Sequence, residues 1–107
     1  MKRHAYVVDT SQSPHARLRP IALNGVTIAD EFWAPRIRIN AEVTLPSQYT
    51  HCEETGRIAN FRRAAGREAG DFEGLFFNDS DVYKWLEAVG WNESISDAPA
   101  LQVITKS

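Results

Sequence analysis

The sequence predicts a mainly α-helical chain that starts with a short β hairpin. Helical spacing (i, i+3, i+4 and i+7) is complete in the second half of the chain, at Val82, Trp85, Leu86 and Val89. Near the start, Asn24-Gly25 separates two short apolar runs, and both residues accept the positive φ angles of a tight hairpin turn. Prolines and glycines divide the rest into short helices.

Composition narrows the classes of protein to which the chain can belong. Its 107 residues, 43% of them hydrophobic, suit one modest core. A formal net charge of −2 argues against a general nucleic-acid binder. The single cysteine, Cys52, excludes an intrachain disulfide and any metal site that needs several thiolates from this chain. The apolar runs are too short to cross a membrane and no secretory signal is evident, so we expect a cytoplasmic chain without a nucleic-acid or membrane partner.

The first 30 residues divide into two parts. Residues 1–16 are polar and contain Pro14, which predicts a flexible N-terminal arm. Residues 17–30 form the predicted β hairpin segment, with strands at 21–23 and 26–28. Two strands are not stable alone in water, so this hairpin needs further structure to pack on.

Residues 31–66 predict helical structure in three pieces. Pro46 stops or kinks the first piece, because proline lacks the N–H that a helix interior uses. The second piece covers residues 47–55, and Gly56 separates it from the third, which Gly66 is placed to cap.

The strongest predicted helix carries the apolar stripe between residues 82 and 89. Asp79 or Ser80 is expected to supply the N-cap oxygen, and Gly90 to end the helix. Pro99 suits the first turn of one further helix.

The run His51-Cys52-Glu53-Glu54 places a base, a thiol and two carboxylates side by side. Catalysis requires the thiol and the base within hydrogen-bond reach, whereas neighbours on a helix point about 100° apart. We therefore interpret this run as helix surface with one buried cysteine, in which Glu53 pairs with Arg57 at i, i+4. Acidic residues flank the arginines at positions 57, 62, 63 and 67 on both sides, namely Glu53, Glu54, Glu68 and Asp71, which indicates a charge-balanced, solvated face.

Residues 76–87 combine aromatic side chains with carboxylates and an amide. A helix N-cap followed by a core stripe explains most of this pattern. The same groups also line carbohydrate sites, so a ligand cleft in a larger assembly stays open. Asp79 and Asp81 are too close in sequence to be presumed a glycosidase acid/base pair, whose carboxyl groups lie about 5–9.5 Å apart. Glycosylation sequons at Asn78 and Asn92 are discounted because no secretory signal precedes them.

Several motifs in a fixed order carry a resemblance to a known family. They are Val26-Thr27-Ile28, Phe32-Trp33, the run 52–66, Phe72-Glu73-Gly74 and the specific run Asp79-Ser80-Asp81-Val82-Tyr83-Lys84-Trp85-Leu86-Glu87. Over about residues 21–91 the sequence resembles the N-terminal part of the β-L-arabinofuranosidase family, glycoside hydrolase family 127.

The resemblance implies that residues 31–107 are the first helices of a larger catalytic domain, a partial (α/α)6 barrel. Family members are several times longer and carry β-sandwich domains after the barrel. They cleave terminal β-L-arabinofuranose with retention, using a zinc-bound cysteine nucleophile, further Cys and Glu zinc ligands and a Glu acid/base. All these groups lie downstream of residue 107, and Cys52 matches none of them.

Four positions match family motifs near the inner rim of the barrel, which implies that they line or brace the sugar pocket: Asn60, Phe77, Asp79 and Asp81. We expect no catalytic residue, metal ligand or cofactor within this chain, since zinc belongs to the full-length family. The chain is then a catalytically silent N-terminal fragment that needs the downstream part to act on an arabinose-containing glycan. The alternative is a free-standing carbohydrate- or protein-binding helical module with an aromatic surface of Phe76, Phe77 and Trp85.

Overall fold

A computed structural model describes residues 6–106 of the chain. In order, the elements are a 3₁₀ turn (Leu23–Gly25), α1 (Trp33–Ile39), a π-helical segment (Asn40–Thr44), α2 (Leu45–Glu54), α3 (Arg57–Ala64), α4 (Asp79–Ile95) and α5 (Pro99–Thr105). The described residues contain no β-strand, which confirms the mainly α prediction. None of their helices is long and apolar enough to cross a membrane. Residues 1–5 of the predicted arm lie outside the described range.

The predicted β hairpin is wrong. Leu23–Gly25 is a single 3₁₀ turn, in which the N–H of Gly25 donates to the carbonyl oxygen of Ala22 at 2.8 Å. A type I′ hairpin turn needs a positive φ at both central residues, and neither Asn24 nor Gly25 has one. The chain therefore turns at the predicted place, but its flanks do not pair as strands.

Pro46 is accommodated within a continuous helical path by a change of helix type. The π-helical segment precedes it, and the N–H of Leu45 donates to the carbonyl oxygen of Asn40, five residues back. A π turn shifts the hydrogen-bond register, so that the missing N–H of proline falls where α2 begins. The helical path does not stop near Leu45 as predicted; the hydrogen-bond register changes there instead, at the junction between the π-helical segment and α2.

The first turns of α1 and α4 use carboxylates in different ways. In α1 the carboxylate of Asp30 accepts hydrogen bonds from the backbone N–H groups of Trp33 and Ala34, at 2.7 and 2.9 Å. Neither Asp79 nor Ser80 caps α4, because the N-cap position belongs to Asn78, whose side chain makes no capping bond. Asp79 lies in the first helical turn instead, where the helix dipole favours a negative charge.

Helix α4 does not end at Gly90 as predicted but continues to Ile95. Val89 and Asn92 are each only 3% exposed, and their i, i+3 spacing places them on the same face of the helix. Burial of this face stabilises the helical conformation beyond Gly90. The predicted stripe is largely confirmed, since three of its four residues are buried and only Leu86 is half exposed.

The core lies where α2, α4 and α5 meet. Its buried residues are Ala41, Leu45, Trp85, Val89, Ala98 and Leu101. The indole N–H of Trp85 donates to the carbonyl oxygen of Leu45 at 2.8 Å, and its ring lies 5.2 Å from that of Tyr49, centroid to centroid. These contacts fix α4 against α2, and the two helices form the walls of the cleft described next.

Candidate functional site

A cleft of about 400 Å³ lies between α2 and α4, beside the start of α3. Its lining residues are Gln48, His51, Cys52, Thr55, Arg57, Asp81, Lys84, Trp85 and Ala88. The lining thus combines charged and amide side chains with a thiol and an aromatic ring. Such a mixture of apolar surface and a few polar groups is the usual make-up of a small-molecule site.

An ion pair in the cleft wall joins α3 to α4. The Nε atom of Arg57 donates to a carboxylate oxygen of Asp81 at 2.7 Å, and the two side chains are 26% and 44% exposed. The predicted pairing of Arg57 with Glu53 is therefore wrong, because Arg57 reaches a partner on another helix. Asp81 is the member of the predicted sugar-pocket set that lines this cleft.

Cys52 lies in the same cleft and is buried, as predicted. Burial raises the pKa of its thiol, the charge of Arg57 opposes this shift and the charge of Asp81 adds to it. A raised pKa keeps the thiol protonated, whereas a nucleophilic cysteine needs a lowered one. His51 is exposed on the adjacent helix position. The interpretation of Cys52 as a structural residue agrees with both observations.

Glu53 joins α2 to α3 rather than closing a pair within one helix. It accepts hydrogen bonds from both terminal nitrogens of Arg62, one of them at 2.9 Å, and from the hydroxyl of Tyr49 at 2.8 Å. The Arg62 hydrogen bonds lower the pKa of Glu53, burial opposes that effect, and the Tyr49 hydroxyl adds to the lowering. The network connects the α2–α3 corner to the Trp85 ring through Tyr49.

Asn60 does not line the cleft. Its side-chain amide donates to the backbone carbonyl oxygen of Glu73 at 2.8 Å, and its side-chain oxygen accepts from the backbone N–H of Glu73 at 3.0 Å. The structure therefore places Asn60 between α3 and the segment that leads to α4.

Phe77 and Asp79 lie where that segment enters α4. Phe77 is 53% exposed, and its ring meets that of Phe76 edge to face, with centroids 5.3 Å apart. Asp79 is half-buried in the first turn of the helix. Trp85 is only 6% exposed, so the predicted aromatic surface of Phe76, Phe77 and Trp85 is wrong and contains only the two phenylalanines.

Sequence reasoning missed three residues that the structure brings into these clusters: Arg57 as a partner of Asp81, Lys84 in the cleft, and Glu73 as a partner of Asn60. The sequence hint for all three is that they fall in the runs that carry the family resemblance. The sequon asparagines, Asn78 and Asn92, are 8% and 3% exposed, which agrees with discounting both as glycosylation sites.

The zinc site that the resemblance implies for full-length enzymes has no counterpart among residues 6–106, the part of the chain that the structure describes. Within residues 6–106, no group of three or more His, Cys, Asp or Glu side chains is arranged to hold a metal ion. Next to Cys52, the carboxylate of Glu53 is already occupied by Arg62 and Tyr49.

Comparison with known proteins agrees with the resemblance. A family model described as the β-L-arabinofuranosidase GH127 catalytic domain matches residues 25–107. A non-reducing end β-L-arabinofuranosidase of Bifidobacterium longum subsp. longum is 29% identical over 98 residues, covering 74% of this chain. The chain spans only 15% of that relative's length. No solved structure matches. Since the family model covers most of the sequence, this chain belongs to glycoside hydrolase family 127, the β-L-arabinofuranosidase family.

Proposed function

We propose that this chain forms the N-terminal helical part of a catalytic domain that hydrolyses terminal β-L-arabinofuranosides with retention of configuration. The family match over residues 25–107 carries the proposal. The small share of the relative that is covered, 15%, supports a role as one part of a larger catalytic unit.

Exposed apolar side chains support the larger unit independently. Leu18, Phe76 and Val103 are 86%, 87% and 72% exposed, and they belong to a longer series of exposed large hydrophobic residues. Exposed large apolar side chains in this number are expected where other structure packs on a chain. We propose that further helices of an (α/α)6 barrel cover part of this surface.

By itself the chain is proposed to be catalytically silent. The family chemistry implied by the resemblance needs a cysteine nucleophile together with further cysteine ligands, and this chain has one cysteine. That cysteine is buried and its pKa is raised by burial, which disfavours the thiolate. The nucleophile, the acid/base and zinc would come from outside these 107 residues.

The contribution of this chain to the sugar pocket is proposed to lie at the entry to α4. Phe77 offers an exposed ring, and Asp79 follows two residues later in the first turn of the helix. Asp81 binds Arg57 in the wall of the cleft between α2 and α4, so its proposed role is to support the sugar pocket rather than to contact the sugar. Asn60 braces the segment before α4 through Glu73.

Two samples test the proposal. The purified 107-residue chain should release no arabinose from a nitrophenyl β-L-arabinofuranoside. A chimera in which residues 25–107 replace the matching segment of the Bifidobacterium longum enzyme should release it. A second chimera that carries Phe77→Ala keeps the same length and fold and should show a higher KM. Release by the isolated chain would contradict its proposed silence, and a folded but inactive first chimera would contradict the shared role.

The second candidate is a free-standing binding module, which the exposed Phe76–Phe77 pair favours. Such a module would bind an arabinose-containing oligosaccharide without any other chain. Titration calorimetry of the isolated chain with that oligosaccharide separates the two candidates, because the fragment proposal expects no binding heat. A Phe76→Ala, Phe77→Ala double variant is the matched control, since it removes only the two exposed rings.

A further inference from the structure

The segment between α3 and α4, residues 65–78, has little regular structure, yet it is tied to α3 by side chains. Three of its glycines, Gly66, Gly70 and Gly74, have positive φ angles of 70°, 124° and 93°. Positive φ angles at three positions interrupt the regular hydrogen bonding of a helix or strand, so other groups help to determine the path of the segment. The same segment carries Phe77 and runs directly into Asp79.

The side chain of Asn60 makes a pair of hydrogen bonds with the backbone of this segment, as one strand does with its neighbour in a sheet. Its amide donates to the carbonyl oxygen of Glu73 and its side-chain oxygen accepts from the N–H of the same residue, at 2.8 and 3.0 Å. Both lengths are those of well-formed hydrogen bonds. The two bonds engage a donor and the acceptor of the amide at once, so Asn60 is committed to the protein backbone rather than to a sugar hydroxyl.

Arg63, one turn further along α3, lies beneath the same segment with its side chain 15% exposed. One terminal nitrogen donates to the carbonyl oxygen of Asp71 at 3.0 Å, and the other faces the carboxylates of Glu68 and Glu73 at 3.3 and 3.5 Å. Gly70 packs so closely that a Cβ atom there would lie 3.1 Å from the Nε atom of Arg63. The guanidinium thus occupies the inside of the loop, and the absence of a side chain at Gly70 leaves room for it.

We propose that Asn60 and Arg63 are positioning residues, which hold residues 66–77 in one conformation and thereby fix Phe77 and Asp79 at the entry to α4. The inference deepens the proposed function and rests on it insofar as Phe77 and Asp79 face the sugar. Asn60 acts through Glu73, and Arg63 acts through the carbonyl of Asp71 and two carboxylates.

Amide hydrogen exchange measured by NMR on the 107-residue chain tests the proposal without substrate. In Asn60→Ala the amide of Glu73 should exchange about tenfold faster, because a bonded N–H loses its acceptor. Asn60→Asp keeps that acceptor but cannot donate to the Glu73 carbonyl, so it should restore most of the protection at the Glu73 amide.

Arg63→Gln tests the second positioning residue, with Arg67→Gln as a matched control on an exposed arginine of the same segment. We expect Asn60→Ala and Arg63→Gln to weaken the nuclear Overhauser contact between the Phe76 and Phe77 rings, and Arg67→Gln to leave it unchanged. The Val89 amide in the core reports global stability and should stay protected in every variant.

Three results would overturn the proposal. The first is an unprotected Glu73 amide in the parent chain. The second is an equal change in the exchange of the Glu73 and Val89 amides in the variants, and the third is no change at either amide, since both patterns would leave the loop without a specific dependence on α3. Because the readout needs no hydrolysis, it fails or succeeds independently of the chimera experiment.

Discussion

Replacing Trp85 by phenylalanine tests whether the α2–α4 contact is the main support of the cleft. The substitution removes the indole N–H that donates to the Leu45 carbonyl at 2.8 Å, a buried bond with a net value of about 1 kcal/mol. It also shrinks a side chain that is 6% exposed, which adds about 1–2 kcal/mol for lost burial and the space left behind. Contact with the Tyr49 ring is retained in part. The expected loss in unfolding free energy is therefore about 2–3 kcal/mol.

Trp91→Phe is the control, because it makes the same chemical change on the same helix. Trp91 is 44% exposed and its N–H lies 3.4 Å from Glu87, so the change should stay within about 0.5 kcal/mol. Urea unfolding followed by far-UV circular dichroism measures both variants. Equal losses in the two variants, or a loss below about 0.5 kcal/mol at Trp85, would refute the assignment of the core.

Three further predictions concern pH, backbone geometry and thiol access. Since the pKa of Glu53 is lowered in the folded chain, its stabilisation is complete above its ordinary value of 4.5 and is lost as the pH falls through the lowered value. Urea midpoints of Glu53→Gln and the parent should therefore differ near neutral pH and converge in acid, and a constant difference would contradict this. Gly74→Ala should lower the melting temperature, because φ is +93° and the new Cβ would clash with the Asn78 amide nitrogen, whereas Gly90→Ala, with open space around it, should raise stability by about 0.5–1 kcal/mol. Cys52 should react slowly with a thiol reagent until urea unfolds the chain, and rapid labelling of the folded chain would contradict its burial.

The helix boundaries that the sequence predicts correctly depend on local backbone chemistry. Gly56 separates α2 from α3 with φ at 78°, a conformation that glycine adopts without a steric cost. Pro99 starts α5, because its fixed φ and missing N–H suit a first helical turn. Constraints of this kind are visible in a few consecutive residues and need no knowledge of the rest of the fold.

The boundaries that the sequence misses are decided by packing. Gly90 carries the usual signal for a helix end, but the burial of Val89 and Asn92 on one face keeps α4 helical beyond it. Asn24-Gly25 favours a hairpin only when strands on both sides pair, and here the pair lies within a 3₁₀ turn. In both places the local preference is small compared with the tertiary contacts.

At the candidate site, too, local sequence signals and tertiary contacts lead to different results. Helical spacing suggested a pair between Glu53 and Arg57, yet both residues bind partners on other elements, nine and 24 positions away. Ion pairs four residues apart contribute only tenths of a kcal/mol, so a geometry with two bonds from one guanidinium easily displaces them. Spacing therefore predicts which residues can meet within a helix and gives no information on competition from other helices.

The family-specific run from residue 79 to residue 87 divides into packing and positioning roles. Val82 and Trp85 are buried, while Asp81 binds Arg57 at the start of α3. Asn60 and Glu73, from two other resemblance runs, bind each other and direct the chain toward the same helix start. Motifs distant in sequence thus converge on the entry to α4 and fix its geometry. The runs that carry the family match therefore include residues that pack the core and residues that bind the other motifs.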